Sequence, residues 1–441
     1  MPAPIVTHRD PSIVQLFNLF ADYINQLSGG GGVPVVTTNV IRVDVNGSNA
    51  TGQRNRFDLP FQTIQAAVNA AQDKDLILVG PGTFAEQVTV PPTIGVSILG
   101  AGIQETVLDF AVQALIWNPT VDTNFIVSGI SFPTGGIVVS PSFNSLGITG
   151  LIAFDNLLLA PAPANGIELT RVNVALVTNC IGNALGNSSV VIRNSANVQV
   201  RGGLNFSVSS VYDPLNPVPS LGARNVNVNG CNLVNVVLAQ LAEMEIDQST
   251  VRLGVLAILT DNPTGDNGSL RASDSELGDV SITATFLTVG TPVNAGDIKR
   301  CGMKDLVTDA AASTISRVRV RARNCVIDPV NPINAGDKID LDLRGSQFPQ
   351  ASLAFMGSGR INRSMYRMQG VAVPAVPGTP PIVIPIPYSD PDYFVSFELA
   401  AFNSAAHVIP GPTKTFSQFN AGGTFGGVPS AVGADIMILQ N

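Results

Sequence analysis

The sequence predicts an all-β solenoid: a parallel β-helix of stacked coils, with a short N-terminal helical arm and a small C-terminal β-sandwich. Three observations predict it. The 441 residues hold 42 Gly and 31 Pro, too many turn formers for a helical protein and too aperiodic for collagen. A short apolar–polar alternation keeps returning at variable spacing, which is how stacked coils with unequal loops read in sequence. One amphipathic helix stands among the first strands, where it can close the open apolar end of such a stack.

Composition narrows partners and compartment. Charged residues make up 13% of the chain, about half the usual roughly 25%. Apolar residues make up 45%, so a large core can form and disorder is excluded. The net charge is −8 and there is no basic stripe, so no nucleic acid is expected as a partner. Cys180, Cys231, Cys301 and Cys325 form no CxxC, and the chain has two histidines, His8 and His407. No metal and no cofactor is expected, and the thiols are expected to be buried, free and small apolar fillers. The first residues lack a basic and an apolar signal region. The apolar stretch 371–387 is broken by Pro374, Pro377, Pro380, Pro381, Pro385 and Pro387, and no run reaches the roughly 18 residues of a membrane helix. These features point to a soluble product made in a cytoplasm, with no signal peptide and no membrane partner.

Residues 1–32 are read as an anchoring arm. Ile13, Phe17, Phe20, Ile24 and Leu27 follow at spacings of 4, 3, 4 and 3, the rhythm of a coiled-coil seam. Asp10 or Ser12 can cap the helix start. Two heptads fit self-association and docking on the same or a neighbouring chain equally well. Gly29 to Gly32 then supplies a flexible joint.

Residues 33–370 are assigned to the solenoid. A strand over Val40 to Val45 precedes a capping helix near 61–72, in which Ile64, Ala67, Val68 and Ala71 share one face. Leu76 to Val79 reads as a buried strand and Gly80-Pro81-Gly82 as a turn. Further strands carry Val88 with Val90, and Val96 with Ile98 and Leu99, before Gly100-Ala101-Gly102. This stretch resembles the opening cap and first coils of right-handed parallel β-helix proteins of the pectate-lyase-like superfamily, in the form found in phage tail spikes, fibres and capsid decoration proteins. The residues that carry the resemblance are Phe61, Thr63, Ile64, Gln65, Ala67, Val68, Pro81, Gly82, Thr83, Phe84, Gly100 and Gly102. Phe84 stands where Tyr is commoner. The resemblance implies the right-handed coil and says little about chemistry.

Downstream, a template of apolar-x-apolar, a few small or polar residues and another apolar residue recurs. Its copies are Phe125–Val127 with Ile130, Ile152–Phe154 with Leu157, Val198–Val200 with Leu204, and Val226–Val228 with Leu233. Later copies are Met244–Ile246 with Val251, Leu270–Ala272 with Leu277, Val318–Val320 with Val326, and Ile339–Leu341 with Phe348. Some neighbouring copies lie 18 to 28 residues apart, a coil-sized repeat. Alternation places the Val, Ile and Leu residues inside and the polar ones outside. Gly129, Asn156, Gly202, Gly230 with Cys231, Ser275, Asn324 and Gly345 fall at the turns, where small residues and Asn tolerate left-handed backbone. As a strand, 317–323 puts Arg317, Arg319, Arg321 and Arg323 on one outward face, read as solvated or inter-subunit, with Asp340 and Asp342 one coil on as natural partners.

Residues 371–387 are predicted to be an extended, Pro-rich linker, and 388–441 a small β-sandwich-like domain. Its strands are Tyr393 to Leu399, Phe416 to Asn420 and Ala434 to Asn441. This end is similar to the small C-terminal β-domains of phage tail and fibre proteins.

Candidate chemistry is sparse. The dense acidic stretch is Asp261, Asp266, Asp274, Glu276 and Asp279. Asp274 and Glu276 alternate with Ser273 and Ser275 and are expected on one outward strand face, the weak candidates for a pair of catalytic carboxylates. Trp117, the single tryptophan, lies in an apolar run and is expected to pack in the core. Nucleophilic triads and nucleotide fingerprints are absent from the sequence. The expected role is therefore structural. It is a homotrimeric spike, fibre or capsid decoration protein of a phage-like virion, held to capsid or tail proteins by its arm, with host-surface polysaccharide as a candidate ligand. The alternative is an enzyme, a polysaccharide lyase or glycoside hydrolase of the tail spike depolymerase type.

Overall fold

The computed structural model describes residues 39–348 apart from 112, 142–149, 160–165, 183–187, 213–224, 261–267, 287–292, 311–312, 314–317, 329–332 and 336–337. Beyond these it describes the backbone of strands from Leu353–Phe355 to Val432–Gln440. The arm with Ile13, Phe17, Phe20, Ile24 and Leu27, together with Arg317, Asp261 and Asp266, lies outside the described residues.

Two long sheets form the walls of a parallel β-solenoid. One has fourteen strands, from Val40–Val43 to Arg360–Asn362, and the other twelve, from Val88–Val90 to Leu353–Phe355. Each strand pairs in parallel register with the strand one coil away, as in Ile152–Asp155 with Ala175–Thr178 and Val198–Arg201 with Asn225–Asn229. A narrow third face is one column of residues that bridges from coil to coil: Val107, Ser131, Leu158, Ile181, Leu204, Asn232, Thr250, Glu276, Gly302, Val326 and Gln347. Period-two alternation sends Val226 and Val228, Val236 and Leu238, and Val318, Val320 and Ala322 inward, each with 0% exposure, into one core that runs the length of the stack. Each such side chain contributes about 1.5–3 kcal/mol of burial.

The chain turns from the fourteen-stranded sheet to the third face through one left-handed residue per coil. These are Gly129, Asn156, Asn179, Gly202, Gly230, Gln248, Asp274, Arg300, Asn324 and Gly345, with φ between +47° and +72°. Asn and Gly suit that region because they avoid or offset the Cβ clash. Their amides still reach the next coil: Asn179 N donates to Arg201 O at 3.0 Å and Asn324 N to Arg344 O at 3.0 Å.

The residue that follows each of these turns points inward, and all four cysteines occupy that position. Cys180, Cys231, Cys301 and Cys325 are free and buried, as expected. Their role differs from apolar filling. Each thiol donates to the carbonyl two residues back, at 3.2 to 3.3 Å. Ser249 and Ser275 make the same bond at 2.8 and 2.7 Å. Desolvation pushes the Cys180 and Cys301 thiols up to about 12, which keeps them protonated donors and chemically inert.

The same alternation corrects two of the expected interior residues. Leu204 and Val326 are 44% and 56% exposed. In their coils the turn residue is followed by Gly203 or Cys325, and that residue takes the inward place. The next residue must then face out, and Phe206 and Ile327 fill the interior instead.

The capping helix spans Ile64–Ala70 and buries Ile64, Ala67 and Val68 on the open end of the stack. Thr63 caps it by accepting from Ala66 N at 3.2 Å. The Glu86 carboxylate accepts from Ile64 N at 2.7 Å and Gln65 N at 3.0 Å, which satisfies the remaining first-turn amides. Asp75, with a side chain at 0% exposure, is held by Arg54 through two bonds of 2.6 and 2.7 Å. The turn at Gly80-Pro81 leads straight into a strand, Gly82–Phe84, paired with Thr106–Leu108. Trp117 is fully buried, stacks on Phe125 with centroids 4.6 Å apart, and donates to Ile94 O at 2.9 Å.

After Arg360–Asn362, the last parallel rung, the pairing becomes antiparallel. Met365–Val373 and Tyr393–Leu399 flank Val432–Gln440 in one three-stranded sheet, and Gln418–Asn420 lies between Ile382–Val383 and Thr413–Lys414 in another. The strands over Tyr393 to Leu399, Gln418 to Asn420 and Val432 to Gln440 fall where alternation predicted strands.

Candidate functional site

The candidate site forms where the column of left-handed turns meets the third face. Gln248, Asp274 and Arg300 occupy three successive turns with φ of +47°, +49° and +52°. Thr250 and Glu276 stand one coil apart on the adjoining third face. Between the two columns lies a groove of about 430 Å³ lined by Gln248, Thr250, Asp274, Glu276 and Arg300, with Ser249 and Ser275 at its floor. Gly302, the next residue of the third-face column, leaves room for the Glu276 carboxylate, which a Cβ at that position would strike.

Asp274 and Glu276 therefore border one groove, but not from one strand as their alternation predicted. The strand Ser269–Ser273 ends before them because Asp274 takes the left-handed conformation. Ser275 turns inward, and Glu276 emerges on the next face. Arg300 grips Asp274 through two parallel bonds, Nε to Oδ1 at 2.7 Å and Nη2 to Oδ2 at 2.5 Å. These bonds hold the Asp274 carboxyl below its ordinary range. Glycoside hydrolysis needs one carboxyl raised so that it carries a proton at neutral pH. Asp274 is shifted the opposite way by the Arg300 bonds, the direction that suits an ionised carboxylate and not a proton donor.

The arginine face is placed as the alternation requires, with Arg319, Arg321 and Arg323 outward and half-buried. Two of its three charges are met from within the chain, while Arg321 Nε is buried without a hydrogen-bond partner. Arg319 lies 3.6 Å from Asp340, and Asp342 takes Arg323 at 2.8 Å and Arg344 at 2.7 Å. Burial raises the Asp342 carboxyl, but the bonds from Arg344 and Arg323 outweigh it and the net shift is downward. Along the outer face of the fourteen-stranded sheet, Glu245, Arg271, Asp297, Arg321 and Asp342 succeed one another coil by coil, an alternating-charge ladder suited to a parallel stack.

Sequence reasoning did not single out Gln248, Thr250 or Arg300. A signal was present: counting from Asn156 and Asn179 through Gly202 and Gly230, the turn position falls on Gln248, Asp274 and Arg300, where Gln, Asp and Arg replace Asn and Gly. Among the described residues, no group of three or more His, Cys, Asp or Glu side chains is placed to hold a metal ion. No helix among them is long and apolar enough to cross a membrane.

No model of a known protein family matches the chain, and no curated protein matches it. Solved structures similar to it include ORF18 of Geobacillus virus E2, with 10% identity, 94% of this chain and 78% of that chain covered, and a TM-score of 0.32. A second is the tailspike of Pseudomonas phage phi297, with 10% identity, coverage of 85% and 91%, and a TM-score of 0.31. A third is a tailspike of Acinetobacter baumannii bacteriophage Fri1, described as a capsular polysaccharide depolymerase, with 9% identity, coverage of 92% and 86%, and a TM-score of 0.30. Identities of this size concern the fold alone.

Proposed function

We propose that the protein is a structural component of a phage-like virus particle. It is a homotrimeric spike, fibre or capsid decoration protein, joined to capsid or tail proteins through residues 1–32. The observation that carries this reading is the continuous parallel pairing from Val40–Val43 to Arg360–Asn362. Fourteen strands at about 4.8 Å make a rod of about 65 Å, with charges of alternating sign along one outer column. Such a rod transmits position and force with little internal motion, because each coil is paired on both sides. The apolar heptads and the Gly29–Gly32 joint at one end of the chain supply an attachment element for it.

The test is to purify the particle from a lysed host culture and probe it with an antibody against this chain. Gold label on the tail tip or on the capsid lattice is the expected result, and the position separates spike from decoration. A chain found in the lysate and not on the particle overturns the proposal. Deleting residues 1–32 is expected to abolish attachment and leave the solenoid folded.

The groove at Asp274, Glu276 and Arg300 favours a second reading, in which the rod binds or cleaves host-surface polysaccharide. Incubating the full-length protein with bacterial capsule or lipopolysaccharide tests it. Release of oligosaccharides that disappears with Asp274→Ala or Glu276→Ala establishes an enzyme, and no release from either polymer removes that reading.

A further inference from the structure

The last coils of the fourteen-stranded sheet present a charge opposite to that of the chain. Lys299, Arg319, Arg321, Arg323 and Arg344 stand on its outer face with three carboxylates among them, Asp297, Asp340 and Asp342. The net charge of the whole chain is −8. The two signs sit at different depths. The side chains of Asp340 and Asp342 are 7% exposed and that of Asp297 23%, whereas those of Lys299, Arg319, Arg323 and Arg344 are 29 to 48% exposed. Solvent therefore meets the cations.

Pairing within the chain does not use these cations up. Asp342 is shared by Arg323 and Arg344, and Asp297 turns Oδ2 to Lys299 at 2.9 Å. Those two carboxylates flank Arg321 in its column, yet Arg321 Nε is left without a hydrogen-bond partner, as is Asp297 Oδ1. In the neighbouring outward column Lys299 stands opposite Arg323. Asn324 N donates to Arg344 O at 3.0 Å, which sets Arg344 on the next coil of that column. Like charges directly opposite one another destabilise a sheet, so this stack of three cations adds nothing to the fold.

We propose that this patch binds an acidic polysaccharide through its carboxylate groups. The assignment rests on the polysaccharide reading above and adds a second contact surface, separate from the groove. Three features select that ligand. Guanidinium forks match carboxylates in two parallel bonds. Three coils at about 4.8 Å, and the strand from Arg319 to Arg323 at about 3.3 Å per residue, make a patch of about 10 by 13 Å. That is the footprint of a few sugar rings and far below the roughly 800 Å² per partner of a stable protein contact. Nucleic acid fits poorly, because the same columns carry Glu245 and Asp247 two coils away, where they repel the next phosphates. No outward residue of these columns from Glu245 and Asp247 to Asp342 and Arg344 is aromatic, so bases have no stacking platform. An acidic glycan separates its carboxylates with neutral sugars and avoids that clash.

The test measures binding of the full-length chain to immobilised hyaluronan and alginate, with dextran as the uncharged polymer and a single-stranded oligonucleotide as the other polyanion. Both acidic glycans are expected to bind, more weakly as salt rises from about 50 to about 300 mM, and dextran is not expected to compete. Arg321→Gln removes a cation that holds no carboxylate. Its urea midpoint is expected unchanged and its affinity for both acidic glycans about tenfold or more lower. If that variant misfolds, Lys299→Gln, on a side chain 47% exposed, reads the same loss. No binding of either acidic glycan overturns the patch, whatever the groove releases. Binding that survives Arg321→Gln and Lys299→Gln but is abolished by Asp274→Ala belongs to the groove, which overturns the patch and leaves the polysaccharide reading standing. An oligonucleotide bound as tightly as the glycans overturns the choice of ligand.

Discussion

Replacing Ser275 by Ala isolates what the inward residue after each turn contributes. The Ser275 Oγ donates to Ser273 O at 2.7 Å and accepts from Ser249 N at 3.0 Å, and the residue is 4% exposed. Alanine removes both bonds and leaves a buried N–H and a carbonyl without this partner. Two lost bonds with a buried orphan donor come to about 2–3 kcal/mol. Because coils interact with nearest neighbours, the loss is local and an overall melting curve is the wrong probe. Hydrogen exchange by mass spectrometry reads local opening directly. Peptides spanning 243–285 are expected to exchange about 30- to 140-fold faster, while peptides over 40–100 stay unchanged. Ser275→Cys restores a donor and an acceptor, as Cys231 does two turns earlier in the same column, and is expected within about fivefold of wild type. Exchange within about threefold of wild type for Ser275→Ala, or a cysteine variant as fast as the alanine one, would refute the reasoning.

Three further outcomes follow from the same geometry. Arg54→Ala leaves the fully buried Asp75 carboxylate without its cation and is expected to cost about 3–5 kcal/mol, seen as early tryptic cleavage and fast exchange around the capping helix. Gly254→Ala places a Cβ against the Asp279 backbone at φ +155° and is expected to destabilise by about 2 kcal/mol or more. Gly302→Ala meets only the mobile end of Glu276 and should cost under about 1 kcal/mol, with urea unfolding comparing the two. Asp342 is held below its ordinary range when folded, so in acid the unfolded chain binds the proton first. Its contribution is full above about pH 5 and lost as pH falls through the lowered native value. Asp342→Asn is expected to flatten the fall of the urea midpoint over that window, and an unchanged slope counts against the assignment.

Much of the fold was legible because a solenoid writes its interior into the sequence. Val226-x-Val228 and Val318-x-Val320 face one core and repeat at coil length, and Thr63-Ile64 with Ala67-Val68 announces a capped helix. What was not legible depended on the turn. Whether Leu204 or Gly203 points inward is decided by which residue adopts the left-handed conformation, and an apolar residue two places after a glycine looks the same in either register. The cysteines show the same limit. Scanned for disulfide or metal spacing, four lone thiols carry no pattern. Counted from the turn, they share a position with Ser249, Ser275 and Ser346, whose hydroxyls also donate to backbone carbonyls there, while Ile130 and Leu157 fill it in earlier coils.

The candidate groove was half legible for a related reason. Asp274 and Glu276 stood out by charge, but Arg300, the partner of Asp274, is 26 residues beyond it and is brought alongside only by the coil repeat. Seven of the ten left-handed turns use Gly or Asn, and the other three are successive. Asp tolerates that region much as Asn does, so the two long side chains of this turn column are Gln248 and Arg300. Left-handed residues with long side chains also occur at Lys74, Arg171, Gln240 and Lys338, so backbone strain does not single out the groove. What sets Gln248 and Arg300 apart is that they flank Asp274 in the same column and wall one polar concavity with it, which the acidic residues alone could not announce.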